Sequence, residues 1–192
     1  MTKIGITTLR VDPNRWLALA LEENDNKLVA CTSNQTEQEV VLNLKGALRR
    51  LKRLEEWNER VQSSHLSKVA QRLSLLIQGE ERPFGFHEIS MIGWSKSRIE
   101  ISRQLLQVPK GKVISYGGLA KLANSSPRGV GSVMRTNPVP WAVPCHRVIH
   151  SDGRLGKLGG TVAGTKEKAR ILQAEGVPFN ANGRVNEKAI LL

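Results

Sequence analysis

Two residues carry the most reactive possibility in this chain: Cys145 and, directly after it, His146. They sit near the end of Asn137–Ile149, N-P-V-P-W-A-V-P-C-H-R-V-I, a run that also holds three of the eight prolines. A cysteine attacks as its thiolate, and a free thiol has a pKa of about 8.5, so only a few per cent is ionised at neutral pH. Neighbouring basic groups, here His146 and Arg147, raise that fraction. In an extended segment adjacent side chains point to opposite faces. Contact between Cys145 and His146 is then direct or through a bridging water, with a carboxylate elsewhere to orient the imidazole. The competing reading is a buried inert thiol beside a locally bonded histidine. Residue types and spacing leave both open.

Metal chemistry is the other use of cysteine and histidine. The histidines are 65, 87, 146 and 150, and only His146 and His150 lie close together, four residues apart. That spacing shares a metal from a helix, whereas Val148-Ile149 reads as a strand. No metal and no cofactor is expected. The glycine-rich stretch Ser151–Gly164 lacks the G-x-x-x-x-G-K-[ST] pattern of a phosphate loop.

The elements that must position Cys145 change character along the chain. Residues 3–32 read as strands: Lys3–Leu9, Trp16–Leu21 and, after the turn cluster Glu23–Asn26, Lys27–Thr32. Cys31 lies inside the third and reads as a buried, inert thiol. From Thr36 the period becomes helical, with Val40, Leu44, Ala47, Leu48, Leu51 and Leu54 on one face. The basic run Arg49–Arg53 reads as the solvated side of that helix. Ser67–Gln78 repeats the pattern before Gly79, and Glu80–Ser90 reads as a linker.

Beyond it, Ser95 is placed to cap a helix running to about Gln107. Gly117–Ala123 is a short helix. Ser126-Pro127 then starts another, to Thr136, with Ser at the N-cap and Pro at the first helical position. Two short helices with a three-residue break, the second with Arg128 in its first turn, give a helix-turn-helix reading. A last helix, Thr165–Ala174, turns Ala169, Ile171 and Leu172 inward. Asn180–Leu192 reads as a surface tail or a short strand pair.

Composition narrows the partners. Twenty-nine Lys and Arg stand against 17 Asp and Glu, a formal charge of +12 on 192 residues. That excess favours a polyanion, nucleic acid first. The length allows one large domain or two small ones. Apolar residues make up 40% and aromatics 4%, so the core is aliphatic. No apolar run approaches the roughly 20 residues of a membrane span. The start Met-Thr-Lys-Ile-Gly-Ile lacks a secretory pattern. Two cysteines make no disulfide framework, which points to a reducing interior: the cytoplasm, or the nucleus in a eukaryote.

Four blocks in order, G-K-V-I-S-Y-G-G-L-A, S-P-R-G-V-G-S-V-M-R, N-P-V-P and P-C-H-R-V-I, together resemble the O6-alkylguanine-DNA alkyltransferase (methylated-DNA–protein-cysteine methyltransferase) family. The resemblance runs from about Trp94 to Val177. It implies direct-reversal DNA repair. Cys145 would accept the alkyl group from O6-alkylguanine irreversibly, once per molecule. His146 would be the base, through a water, Glu175 would orient it, and Asn137 would hold the turn against the active-site segment. Tyr116 would sit beside the target nucleotide's phosphate and help swing it out or protonate the leaving base. Arg128 would enter the base stack from a helix docked in the minor groove, with Ser126, Gly129, Gly131, Ser132 and Arg135 on the DNA side. The pocket would be walled by Trp141, Val143, Pro144, Arg147, Val148, Leu158, Gly159 and Gly160.

Two positions depart from the family's pattern. Leu158 stands where an aromatic is usual, in a loop a few residues longer, and Trp141 stands where aliphatics are usual. The expected architecture is an α/β N-terminal domain with a small antiparallel sheet (1–88), a mainly α C-terminal domain with a helix-turn-helix (89–180) and a tail (181–192). The protein is expected to act as a monomer on double-stranded DNA carrying alkylated guanine, away from membranes. A lesion-binding module that flips and flags damaged bases without transfer is the alternative. A plain helix-turn-helix regulator explains the charge and leaves P-C-H-R without a use.

Overall fold

The computed structural model describes residues 3–52, 64–80, 83–158 and 162–191. The chain divides into two compact units: residues 1–76, 82–94 and 138–142 form the first, and residues 77–81, 95–137 and 143–192 the second.

The first unit is built on an antiparallel meander, β1 (Ile4–Asp12), β2 (Arg15–Glu22) and β3 (Leu28–Asn34), in the order β1-β2-β3. The run Leu17–Leu21 is buried at every residue, because β2 is the central strand. Helix α1 (Glu37–Arg50) starts at Thr36 with a capping box: Thr36 accepts from the Glu39 N–H and Glu39 reaches back to the Thr36 N–H. Its buried face is Val40, Leu44, Ala47 and Leu48, the spacing the sequence predicts. Leu54 lies outside the described residues. Helix α2 (Ser64–Ile77) stops before Gly79, whose φ of +88° suits glycine.

Most of the segment read as a linker, from residue 82 on, is instead part of this unit. Phe84, Ile89 and Ser90 are buried, Ser90 Oγ donates to Glu22 (2.7 Å), and Ser90 N–H donates to the Leu28 carbonyl. Arg72 pairs with Glu88 at 2.6 Å and lies over the Phe84 ring. Two phenylalanines and a carboxylate with a partner outweighed the charge and proline that suggested a linker.

The second unit carries α3 (Lys96–Leu105), β4 (Val113–Ser115), α4 (Tyr116–Leu122), α5 (Pro127–Arg135), β5 (Val148–Ile149), α6 (Val162–Ala174) and β6 (Ile190–Leu191). Ser95 caps α3, Ser115 caps α4 and Ser126 caps α5, each accepting an N–H three residues on. The unit is not purely helical. β5, β4 and β6 form a small parallel sheet in that order, with Ile114 opposite Val148 and Val113 opposite Ile190. The expected tail is therefore built in: Val185 and Ala189 are buried with Val113, Ile149, Leu172 and Val177. Its two-residue strand is too short to leave a period-two pattern in the sequence. The last helix begins at Val162, so residues 162–164, read as loop, are helical.

Candidate active site

Short, firmly held elements deliver the reactive side chains. Cys145–Arg147 is a 3₁₀ turn, not the extended segment the sequence suggests, held by N–H bonds from Cys145 to the Val143 carbonyl (2.8 Å) and from Arg147 to the Pro144 carbonyl (2.9 Å). It feeds directly into β5. Asn137 follows α5 and donates through Nδ2 to the Val143 carbonyl (2.9 Å), bracing the turn that precedes Cys145. Arg98 from α3 clamps the end of α5 by donating to the Thr136 carbonyl and hydroxyl, both at 2.8 Å.

The predicted base and its orienting carboxylate meet. His146 Nε2 lies 2.9 Å from Glu175 Oε1, both side chains almost fully buried. Arg147 donates to the same carboxylate twice, Nε to Oε2 (3.0 Å) and Nη2 to Oε1 (2.8 Å), and its Nη1 donates to the Val108 carbonyl (2.7 Å). Burial alone would raise the Glu175 carboxyl, but hydrogen bonds from His146 and Arg147 bring it down to about 2. Desolvation lowers the His146 pKa against the pull of Glu175. The imidazole is thus neutral at neutral pH, and the permanent charge on Arg147 holds the carboxylate ionised. An ionised carboxylate only accepts, so Nε2 carries the proton and Nδ1 keeps the lone pair.

Cys145 is buried, and desolvation raises its thiol above the ordinary value. A hydrogen bond from Asn137 and the charge of Lys168 pull the other way. Lys168, on α6, is absent from the sequence-based site. It is 1% exposed and donates through Nζ to the carbonyls of Val148 (2.6 Å) and Leu155. Burial lowers its pKa to about 8, opposed by attraction to Cys145. Its signal was positional: residues 168, 171, 172 and 175 share one face of a helix, so Lys168 lies on the same side as Ile171, Leu172 and Glu175.

Beside these groups lies a cavity of about 460 Å³. Leu158, expected as a pocket wall, lines it together with Cys145 and Tyr116, and so do Gly131 and Arg135. Its other walls, Met134, His150, Gly156 and Lys157, were not foreseen. The remaining pocket assignments stay expectations, and none of those on described residues lines this cavity. Arg147 is taken up by Glu175, and Val143, Pro144 and Val148 are buried in positions that do not line the cavity. Trp141 belongs to the first unit, with φ of +67°. Gly159 and Gly160 lie outside the described residues.

On the helix pair, Arg128 and Ser132 are exposed, as is Ser126, whose hydroxyl is used as the α5 cap. A Cβ on Gly131 would meet nothing within 4 Å, whereas one on Gly129 would lie 2.8 Å from Ser125 Oγ. A side chain at Gly129 would thus have to displace the Ser125 hydroxyl, whereas Gly131 is an open spot on the helix face. Among the described residues no group of three or more His, Cys, Asp or Glu could hold a metal. No described helix is long and apolar enough to cross a membrane.

Comparison with known proteins places this constellation. The family model described as 6-O-methylguanine DNA methyltransferase, DNA binding domain, matches residues 96–177. A methylated-DNA–protein-cysteine methyltransferase of Thermococcus kodakarensis is 50% identical over 70 residues, 36% of this chain and 38% of that protein. One from Methanothermobacter thermautotrophicus is 31% identical over 58% of this chain and 62% of its own length. These two matches thus span less than two thirds of the relatives' lengths. A third, from Saccharolobus islandicus, is 33% identical over 64% of this chain and 76% of its own length. The chain belongs to the methylated-DNA–protein-cysteine methyltransferase family. The fold agrees: the crystal structure of the O6-methylguanine-DNA methyltransferase from Pyrococcus kodakaraensis superposes with a TM-score of 0.68 at 26% identity, covering 91% of this chain and 99% of that one. In this member of the family, Cys145, His146 and Glu175 stand together in the second unit, where the family model matches.

Proposed function

We propose that this protein repairs O6-alkylguanine in double-stranded DNA by moving the alkyl group irreversibly onto Cys145, once per molecule. The observation that carries the reading is the ordered set Glu175–His146 next to Cys145, beside a cavity large enough for an extruded base. In the reaction His146 Nδ1 takes the thiol proton, through a water, while Glu175 and Arg147 fix the ring. The charge of Lys168 stabilises the thiolate. Its sulfur bonds to the alkyl carbon as the bond from that carbon to O6 breaks. The electron pair stays on O6, and the guanine takes up one proton through the Tyr116 phenol, which regains its own from solvent.

A stacked base is out of reach of a buried thiol, so the nucleotide must leave the helix, at a cost of a few kcal/mol. Burial raises the Tyr116 phenol pKa, with a further push from Cys145, which keeps the phenol protonated. Helices α4 and α5 act as the helix-turn-helix, docked in the minor groove. Arg128, exposed in the first turn of α5, fills the gap in the stack. Gly131 lets α5 approach DNA closely. The +12 charge makes binding salt-sensitive and largely independent of sequence. The protein acts as a monomer, without cofactor, in the compartment that holds the DNA.

The test is an intact-mass measurement after incubation with a duplex carrying one O6-methylguanine. Wild type gains one methylene per chain, and Cys145→Ser gains none. Tight lesion binding without a mass change would replace transfer by the lesion-binding reading.

A further inference from the structure

His150 enters neither the sequence-based site nor the mechanism above, yet the topology puts it in the cavity. β4 and β5 are adjacent parallel strands in which Ser115 is paired with Ile149. One residue further along each strand are Tyr116 and His150. Both therefore emerge at the carboxyl ends of neighbouring parallel strands, the end at which sheets of this kind present ligand-binding residues. Their rings meet at 5.4 Å between centroids, tilted by 54°, within the range of favourable ring pairs.

The turn after β5 fixes His150 from both sides. Its N–H donates to the Arg154 carbonyl (2.9 Å) and its carbonyl accepts from Gly153 (3.1 Å). Gly156 completes the arrangement. Its φ is +68°, and a Cβ there would lie 3.1 Å from His150 Nε2 and 3.6 Å from Tyr116 Oη. The two polar ring edges thus converge on one glycine, which leaves the space before them open. Among the described residues the His150 imidazole makes no hydrogen bond, and its outer side is exposed to solvent.

Resting on the alkyl-transfer reading, we propose that His150 is a specificity-determining residue: its ring, set against Tyr116, walls the cavity and limits the size of the alkyl group delivered to Cys145. The alkyl carbon must lie against Cys145 Sγ, so whatever extends beyond that carbon has to fit between the sulfur and the cavity's ring-lined side. Tyr116 is close enough to Cys145 to feel the charge of a thiolate, and His150 is the next ring outward. Leu158 and Met134 supply flexible apolar surface, whereas strand register sets the backbone from which the His150 and Tyr116 rings meet.

The test compares first-order transfer rates, at saturating duplex, from O6-methylguanine and O6-benzylguanine. His150→Ala removes the wall, and the benzyl-to-methyl rate ratio rises about tenfold, the effect of a ring-sized change in pocket contact. His150→Phe keeps a ring against Tyr116, and the ratio stays within twofold of wild type. His150 is exposed, so neither change opens a hole in the core. Equal slowing of both substrates in His150→Ala, with an unchanged ratio, would reduce His150 to a structural support and overturn the proposal. If wild type gains no alkyl group from either duplex, the transfer reading itself fails. The ratio of equilibrium affinities for the two lesion duplexes, measured in Cys145→Ser with and without His150→Ala, then reads the same wall, and an unshifted ratio overturns it.

Discussion

The chain holds two cysteines, both free and both buried, 2% and 8% exposed. Burial therefore does not decide which is reactive. Cys31 lies in β3 opposite Leu19, and its thiol donates to the Pro140 carbonyl at 3.2 Å. A thiol engaged as a donor must keep its proton. Cys145 lies in a 3₁₀ turn at a cavity wall, with an oriented imidazole next in sequence and the charge of Lys168 acting on it. Both thiols sit in water-poor surroundings, but the Cys31 proton is engaged by the Pro140 carbonyl, whereas Asn137 and the charge of Lys168 favour the thiolate of Cys145. Reactivity comes from the neighbours of the thiol, and each neighbour can be removed in turn.

The largest effect after loss of Cys145 itself is expected from Glu175→Gln. The amide cannot hold both His146 and Arg147 as the carboxylate does, and the base loses its orientation. Transfer should slow about a hundredfold or more. The same carboxylate couples stability to pH. Its folded pKa of about 2 lies below the ordinary 4.5, so its contribution is complete above pH 4.5 and is lost as pH falls toward 2. The side chain is only 6% exposed, and the contribution is on the order of 3 kcal/mol. Urea denaturation across that window should show the gap between wild type and Glu175→Gln closing on acidification. A gap independent of pH would remove Glu175 from the ionised partnership assigned to it.

Lys168→Met should slow transfer about tenfold by removing the counter-charge to the thiolate, a milder loss because Asn137 remains. The pH dependence runs in the same direction but in an alkaline window, because here it is the charged form that burial disfavours. The folded pKa of about 8 lies below the ordinary 10.5, so between those values the unfolded chain binds more protons. Wild-type stability relative to Lys168→Met should then rise from pH 8 to 10.5. A flat difference would mean that burial does not lower the pKa of the lysine, which would then stay protonated in the fold as in the unfolded chain.

How far this contrast was legible in the sequence varies by element. Ser126-Pro127 announced α5 through local capping chemistry, and the faces of α1 and α2 followed from period. The roles expected of Cys145, His146 and Glu175 come from the family resemblance that the ordered motif blocks carry, and the geometry brings His146 and Glu175 together across 29 residues of sequence. Lys168 carries no motif, and a lysine is by default solvated; only its phase on α6 points inward. His150 suggests from sequence nothing beyond a metal ligand. Its place beside Tyr116 comes from the parallel pairing of two very short strands, a non-local fact with no local pattern. Trp141 is read as a pocket wall from its sequence proximity to Cys145, and the grouping of Pro138–Ala142 with the first unit likewise has no local pattern to announce it.

Cys31→Ala closes the comparison with the smallest expected change. It removes a small buried thiol and its weak hydrogen bond to Pro140, which costs about 1 kcal/mol of stability, as for a modest loss of core volume. Since no step of the transfer uses this thiol, the rate should stay within twofold of wild type, with the full gain of one methylene. Cys31 also receives the chain at Pro138–Ala142 through its N–H bond to the Pro138 carbonyl (2.8 Å), and a backbone bond of this kind survives the substitution. A larger fall in rate at unchanged stability would show that the thiol bond to Pro140 positions the segment leading to Cys145. The division of labour between the two cysteines would then be coupled through Pro140.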